Sequence, residues 1–207
     1  MINLIIKIIM AEKSITVFTD GACTNNGYHN AKAGIGVHFP NGELRDLSRV
    51  IKKNPTNQRA ELYAILVALY YIDKKIGLKK VKVIIKTDSE YSINCLTKWS
   101  AAWKKNGWVK KDGEKVKNKE ILTRIDDYLQ KYDVSFEHVR SHTGNTDPDS
   151  IGNDAADKLA TAIIGSKPTA STKAGPKKKL VKAVKKTYPK KRGVVDYDYD
   201  DVEIATV

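Results

Sequence analysis

Residues 81–88 read VKVIIKTD, and this stretch decides the fold. A run rich in β-branched residues over its first seven positions is typical of a central strand that is buried on both faces. Residues 14–20 alternate apolar and polar side chains and predict a second strand, which also ends in an aspartate. Ligands of open α/β sheets gather outside the strand ends. We therefore expect Asp20 and Asp88 to lie side by side.

The other segments complete an ordered alternation of strands and helices. Asn41-Gly42 is a hairpin turn signal, and apolar residues at helical spacing predict a helix over 56–75 with Thr56 or Asn57 as its N-cap. The remaining predicted elements are strands at 33–40, 44–51 and 134–139 and helices at 89–103, 119–131 and 153–164. The order βββαβααβα predicts an α/β fold with a mixed five-stranded sheet flanked by helices.

Two further carboxylates stand in distinctive settings on predicted helices. Glu61 falls in the first two turns of helix 56–75, and Asp157 lies in the last helix. Three of the four acids sit at the end of an apolar strand or inside an apolar helix, where an unpaired carboxylate is costly unless a cation compensates it. A hard oxygen-ligand set of this kind suits Mg²⁺ or Mn²⁺. The sequence therefore predicts a divalent-metal site.

Charge and cysteine content indicate the class of partner and the compartment. The 207 residues carry a formal net charge of +13. Residues 1–165 hold 26 Lys and Arg against 19 acids, and residues 166–207 hold 11 against 5. Two basic parts favour a polyanionic partner, with a generically soluble surface as the alternative. Two cysteines make no disulfide framework, which favours a reducing, intracellular compartment, cytoplasmic or nuclear.

Both ends of the chain differ from the domain predicted at 14–165. Residues 1–13 form an extension. Its first ten residues are mostly apolar but too few to span a bilayer and are interrupted by Asn3 and Lys7, so we expect no membrane partner. It is either an extra edge strand or a stretch before the true start at Met10. Residues 166–207 lack core-forming side chains and are predicted to be disordered. Their basic run, followed by an acidic end, suits a nuclear address or a nucleic-acid arm, with a solvating tail as the alternative.

Six motifs occur in a fixed order along the chain. They are Thr-Asp-Gly-Ala-Cys at 19, Thr-Asn-Gln-Arg-Ala-Glu at 56, Thr-Asp-Ser-Glu-Tyr at 87, Trp-Lys-Lys-Asn-Gly-Trp at 103, Val-Arg-Ser-His-Thr-Gly at 139 and Gly-Asn-Asp-Ala-Ala-Asp at 152. With these motifs at compatible spacing, the chain resembles the type 1 ribonuclease H family from about Ile15 to Ile163. The resemblance implies a ribonuclease H-like fold.

The activity implied by this resemblance is endonucleolytic hydrolysis of the RNA strand of RNA–DNA hybrids, giving 5′-phosphate products, with primer or R-loop removal as its setting. The implied ligands of two Mg²⁺ ions are Asp20, Glu61, Asp88 and Asp157. In-line phosphodiester hydrolysis needs one ion to activate water and another to stabilise the leaving oxygen. We expect a monomer without an organic cofactor. The rivals are another nuclease of the wider ribonuclease H-like superfamily and a non-catalytic nucleic-acid-binding module.

The last motifs assign roles to residues near the final helix. The family spacing selects Asp157 over Asp154 as the metal ligand, which leaves Asp154 as a surface or capping residue. His142 matches the family's mobile histidine, for which the implied roles are proton shuttling and product release. An insertion follows it, and we expect Asp147 or Asp149 to repel the phosphate backbone or to recruit a cation, with altered turnover.

The resemblance also implies contacts with both strands of a hybrid. The residues at RNA-strand positions are Cys23, Asn25, Asn26, Asn57, Gln58 and Ser89, although turn chemistry explains Asn25 and Asn26 equally well. The DNA-strand positions are an aromatic platform of Trp99 with Tyr91 and a phosphate pocket of Thr56 with Asn118. Residues 99–117, which include Lys104 and Lys105, resemble the family's basic protrusion; a solvated helix with a few core tryptophans is the alternative.

Overall fold

Six strands in the described parts of the chain form a mixed sheet at the centre of the fold. They are β1 Ser14–Thr24, β2 Lys32–His38, β3 Leu47–Ile51, β4 Lys82–Thr87, β5 Val134–His138 and β6 Val202–Ala205. Their order across the sheet is β5-β4-β1-β2-β3-β6. The pairs β1–β2, β2–β3 and β3–β6 are antiparallel, whereas β4 pairs in parallel with both β1 and β5. The computed structural model describes residues 13–141, 144–165 and 202–205, the last only as backbone.

The helices flank this sheet. They are α1 Asn57–Lys75, α2 Glu90–Asn94, α3 Ser100–Lys105, α4 Lys119–Leu129 and α5 Pro148–Ile163. A one-turn π-helix over Cys95–Trp99 joins α2 to α3, so the single helix predicted there is interrupted. The predicted α/β architecture, with strands β1 to β5 in a mixed sheet, is confirmed. None of the helices in the described parts of the chain has both the length and the apolar character needed to cross a bilayer.

The sixth strand differs from the sequence prediction, which placed all of 166–207 in a disordered tail. The backbone of Val202–Ala205 runs antiparallel to β3, with Val202 opposite Ile51 and Ala205 opposite Ser48. Pairing satisfies backbone groups on the outer edge of β3, which an unpaired edge would leave open. The rest of this predicted tail, and all but Lys13 of the predicted N-terminal extension, lie outside the described residues.

Two element boundaries near the predicted acids also differ from expectation. β1 does not end at Asp20 but continues to Thr24, because β2 pairs with it as far as Thr24. α5 begins at Pro148 instead of residue 153, since Asp147 accepts hydrogen bonds from the backbone N–H groups of Asp149 and Ser150, both at 3.1 Å. The prediction that Asp154 lies near the helix start is therefore wrong: the inserted residues extend the helix by more than a turn.

The core lies between the sheet and its helices. α1 covers β1 with fully buried residues such as Leu62, Ile65 and Leu69. α5 packs on β2 and β1 from the opposite face, and the approach is so close that a Cβ atom at Gly36 would lie 2.0 Å from the carbonyl oxygen of Ala156. Only glycine fits at this position, and the contact sets the distance of α5 from the sheet.

The Gly36→Ala variant tests this close approach. Its methyl group must push α5 away from β2, so we expect a loss of about 3 kcal/mol in the free energy of unfolding, measured by urea denaturation. Gly42→Ala is the matched control, because Gly42 has a φ of 71° but open space around it; its left-handed backbone should cost only about 1 kcal/mol. Equal losses in the two variants would contradict the packing argument.

Candidate active site

Three acids converge at one end of the sheet. Asp20, Glu61 and Asp88 each offer a carboxylate oxygen, and these oxygens all lie within 4.8 Å of one another. Asp20 is 6% exposed and Glu61 is 7% exposed, while Asp88 is half-buried. A group of hard oxygen donors at this separation has the composition of a divalent-cation site.

The strand register and one close helix contact explain the convergence. β1 and β4 are parallel with Phe18 opposite Lys86, so Asp20 and Asp88 follow two residues later at the same level of the sheet. Glu61 arrives from α1, whose backbone lies directly over β1. A Cβ atom at Gly21 would be 2.2 Å from the backbone nitrogen of Glu61. Glycine next to Asp20 therefore allows Glu61 to reach the other two acids.

The electrostatics of the three acids favour a cation. Burial, followed by the charges of Asp88 and Asp157, raises the pKa of Asp20 to about 8. Burial, followed by the charges of Asp20 and Asp88, raises the pKa of Glu61 well above its ordinary value. The backbone N–H of Gly21 opposes both shifts without cancelling them. One oxygen of Glu61, Oε2, is buried without a hydrogen-bond partner in the described structure. A bound cation would satisfy it.

Asp157 lies beside this group on α5. It is outside the set of three mutually close acids, but it lies near enough for its charge to raise the pKa values of both Asp20 and Glu61. The structure thus brings together all four acids predicted from the sequence. Such a set can hold divalent cations at the end of the sheet, and the residues present fit that role.

Two neighbours of Asp88 were not predicted. The Nδ2 atom of buried Asn153 donates to Asp88 Oδ2 at 3.2 Å, and the Nε2 atom of His138 lies 3.2 Å from the backbone carbonyl oxygen of Asp88. A signal for Asn153 existed, because it lies four residues before Asp157 and hence on the same face of a helix. His138 needed the sheet register, in which it lies opposite Thr87 at the ends of the parallel strands β4 and β5.

The segment between β5 and α5 is described only in part. His142, the predicted proton-shuttling residue, lies outside the described residues. Asp147 caps α5, and the hydrogen bonds from Ser150 hold its pKa below the ordinary value. Asp149 pairs with Lys86 at 2.6 Å, and Lys86 also pairs with Glu137 at 3.1 Å. Both acids therefore have partners within the protein, Asp147 at the start of α5 and Asp149 on Lys86.

The predicted RNA-strand residues lie around the start of α1 and the turn after β1. Asn26 Oδ1 accepts a hydrogen bond from the backbone N–H of Asn57 at 3.1 Å, which joins the β1–β2 loop to the helix. Asn25 has a φ of 50° and serves the turn, and Gln58 is exposed next to Asn57. Cys23 is half-buried, and burial raises the pKa of its thiol. Ser89, next to Asp88, accepts from the backbone N–H of Ser92 and so caps α2.

An aromatic row lies on the side of the predicted DNA strand. The ring centroids of Tyr91 and Trp99 are 6.3 Å apart, and those of Trp99 and Trp103 are 5.6 Å apart. Trp99 is 40% exposed and presents an apolar ring to solvent. At the end of α3, Lys105 is exposed, whereas Lys104 pairs with Asp126 at 2.7 Å. A surface of exposed aromatic and basic side chains can bind a polyanion with planar bases.

Thr56 and Asn118, the predicted phosphate pocket, are joined by a residue that was not predicted. Thr56 Oγ1 accepts from the backbone N–H of Arg59 at 3.3 Å, and Arg59 Nη1 donates to Asn118 Oδ1 at 3.3 Å. Arg59 also donates to the carboxylate of Glu120. Burial raises the pKa of nearby Tyr91, and burial raises the pKa of Cys95 to about 11.

Comparison with known proteins agrees with these features. A family model described as RNase H matches residues 12–164. A probable ribonuclease H of Acanthamoeba polyphaga mimivirus is 47% identical over 157 residues, which cover 75% of this chain and 69% of that protein. Ribonuclease H1 of Rattus norvegicus is 37% identical over 148 residues, or 72% of this chain and 49% of the relative. The chain thus spans about half the length of this mammalian protein.

The solved structures point the same way. The solution structure of the PFV RNase H domain is 28% identical, with a TM-score of 0.58, and the alignment covers 75% of this chain and 97% of that domain. Because both the family model and the viral relative match most of the domain that carries the four acids, the resemblance read from the motifs is confirmed: the chain belongs to the type 1 ribonuclease H family and is a ribonuclease H enzyme.

Proposed function

We propose that this enzyme hydrolyses the RNA strand of RNA–DNA hybrids with two divalent cations, Mg²⁺ by preference, and leaves 5′-phosphate products. The observation that carries the proposal is the convergence of Asp20, Glu61 and Asp88, whose carboxylate oxygens lie within 4.8 Å of one another, with Asp157 near enough for its charge to raise the pKa of Asp20. When bound at such a site, two cations activate a water molecule for in-line attack and stabilise the departing 3′ oxygen.

The protein's own groups prepare the site. Burial of Asp20 and Glu61 raises their pKa values, so ionising these carboxylates at neutral pH has a cost, which a bound cation would offset. Asn153 donates to Oδ2 of Asp88 and so restricts the orientation of this carboxylate. On the family resemblance, His142 is proposed to move a proton and to assist product release.

Substrate choice is proposed to come from the two groups of polar and aromatic residues beside the acids. Recognition of RNA requires contact with the 2′-hydroxyl, for which the turn of Asn25 and Asn26 and the start of α1 offer amide groups. The exposed ring of Trp99 offers a platform for the DNA strand, and Thr56 with Asn118 offers a pocket for one of its phosphates. The setting proposed for this activity is primer or R-loop removal during DNA replication, by a monomer in the cytoplasm or nucleus.

The pair Asp157→Asn and Asp154→Asn tests the assignment of the fourth acid. Both changes remove one negative charge from α5, but of these two acids it is Asp157 whose charge raises the pKa of Asp20. Loss of a group that only hydrogen-bonds to a metal ligand lowers activity by up to roughly 100-fold. Loss of a ligand itself should cost more, so Asp157→Asn should slow RNA cleavage of a strand-labelled hybrid in Mg²⁺ by more than this factor. Asp154→Asn should cut like the wild type.

Parallel reactions on single-stranded RNA, duplex RNA and duplex DNA show whether cutting is confined to the hybrid. Equal rates for the two variants would show that Asp157 is not a ligand. Cleavage of duplex RNA at the rate of the hybrid would contradict the proposed substrate.

The pH dependence of metal-free stability tests the repulsion among the acids. Asp20 titrates near 3.8 when unfolded and near 8 when folded, so its protonation stabilises the fold at low pH and this contribution is lost as the pH rises towards 8. In EDTA, Asp20→Asn should therefore gain melting temperature relative to wild type as the pH rises from about 5 to about 8. Adding Mg²⁺ should raise the melting temperature of the wild type more than that of the variant. If the difference in melting temperature between wild type and Asp20→Asn did not change with pH, Asp20 would not be buried beside other charges.

Trp99→Ala tests the aromatic platform. Stacking on an aromatic ring is worth about 1 to 3 kcal/mol, so the KM for the hybrid should rise about tenfold while kcat changes little. Trp99→Phe keeps an apolar ring and is the control, which should retain most of the affinity. An unchanged KM in Trp99→Ala would remove the platform from the proposal.

A further inference from the structure

The side chain of Asn118 is held in an unusual way at the start of α4. Asn118 is the N-cap of that helix, with a left-handed φ of 57°, yet its side chain makes no capping hydrogen bond. An asparagine at an N-cap ordinarily accepts a backbone N–H from the first turn. Here Oδ1 instead accepts a hydrogen bond from Arg59 Nη1 at 3.3 Å. The side-chain amide of Asn118 therefore makes a contact outside the helix instead of capping it.

The chemistry of Arg59 determines the orientation of the side-chain amide of Asn118. A guanidinium group has only donors, so the atom of Asn118 that faces Arg59 must be the oxygen. The Nδ2 group then faces away from Arg59. Because Nδ2 carries two hydrogens, Asn118 presents a hydrogen-bond donor on that side.

Arg59 is itself unable to serve as a freely accessible anion contact. It is 6% exposed, it donates to the carboxylate of Glu120, and its guanidinium lies 5.1 Å from the centre of the Tyr63 ring. The Glu120 charge offsets the charge of Arg59 locally, so the pair holds its neighbours in place more than it attracts a phosphate.

We propose that Arg59 is a positioning residue that fixes the flip of the Asn118 amide, so that Nδ2 presents a hydrogen-bond donor to a phosphate of the DNA strand. The inference rests on the proposed function, because it assigns a phosphate of the hybrid to the pocket of Thr56 and Asn118. Arg59 lies two residues before Glu61 on α1, and its effect is on substrate binding rather than on the acids.

The test combines variants of Arg59 with substrates that carry one neutral linkage. In Arg59→Gln, the new side chain offers both a donor and an acceptor, so the flip of Asn118 is no longer enforced. The KM for the hybrid should rise about tenfold, as expected for loss of one hydrogen bond to a charged group, with kcat within about twofold of wild type. A methylphosphonate placed at successive positions of the DNA strand should raise the wild-type KM at one position by a similar factor and should add nothing there in Arg59→Gln.

Three further variants make the result specific. Arg45→Gln removes an exposed arginine on the β2–β3 loop and should leave KM unchanged, as should Glu120→Gln, which keeps the contact between Arg59 and Asn118. Asn118→Asp keeps an oxygen towards Arg59 but replaces the donor by an acceptor. It should raise KM at least as much as Arg59→Gln, and it tests the facing of the amide even where Arg59→Gln does not fold.

The outcomes separate this inference from the proposed function. Unchanged KM in Asn118→Asp, or full methylphosphonate sensitivity retained in a folded Arg59→Gln, would overturn the role of Arg59 while hybrid cleavage by the wild type stands. The same holds if no single DNA linkage affects the wild type. Failure of the wild type to cut the hybrid would overturn the proposed function, and this inference with it.

Discussion

The burial of Asp20 and Glu61 beside two other acids is the constraint on which the rest of the site depends. An unfolded chain keeps these carboxylates apart and in water, whereas the fold places three of them within 4.8 Å and removes most of the solvent from two. Such an arrangement is unfavourable without a compensating cation. The surrounding core must therefore supply the free energy that holds the acids together, and a cation recovers part of it on binding.

That core positions the acids through close backbone contacts between the helices and the sheet. Gly21 allows α1 to approach β1 closely enough for Glu61 to reach Asp20, and Gly36 allows α5 to approach β2 closely enough for Asp157 to do so. Gly36 pairs with Asp20, the residue before Gly21, and successive residues of a strand point to opposite sides of the sheet. Gly21 and Gly36 therefore face opposite sides, and the two helices lie on opposite faces. Each glycine thus sets the distance between one helix and the sheet, and each helix places one acid at the end of the sheet.

The sequence was sufficient for the parts of the fold that follow from local pattern. The strand at 81–87, the helix at 56–75 and the four acids all carry strong local signals, and the parallel pairing of β1 with β4 then places Asp20 level with Asp88. The sequence was insufficient where a residue or strand far along the chain determines the local structure. β1 extends past Asp20 because β2 continues to pair with it, and β6 exists because β3 offers an open edge. Arg59 was read only as part of a motif, since its role depends on Asn118, far along the chain.

The first two turns of α1 carry groups for two different tasks, and helix geometry explains how. Arg59 and Glu61 are two residues apart, so their side chains leave the helix in nearly opposite directions. Arg59 faces α4 and Asn118, whereas Glu61 faces Asp20 and Asp88. Thr56 fixes the start of the same helix through its capping bond to Arg59. Under the proposed function, the first two turns of α1 therefore set the distance between the bound DNA phosphate and the cations. The offset between the phosphate held on one strand and the bond cut on the other then becomes a fixed property of the fold.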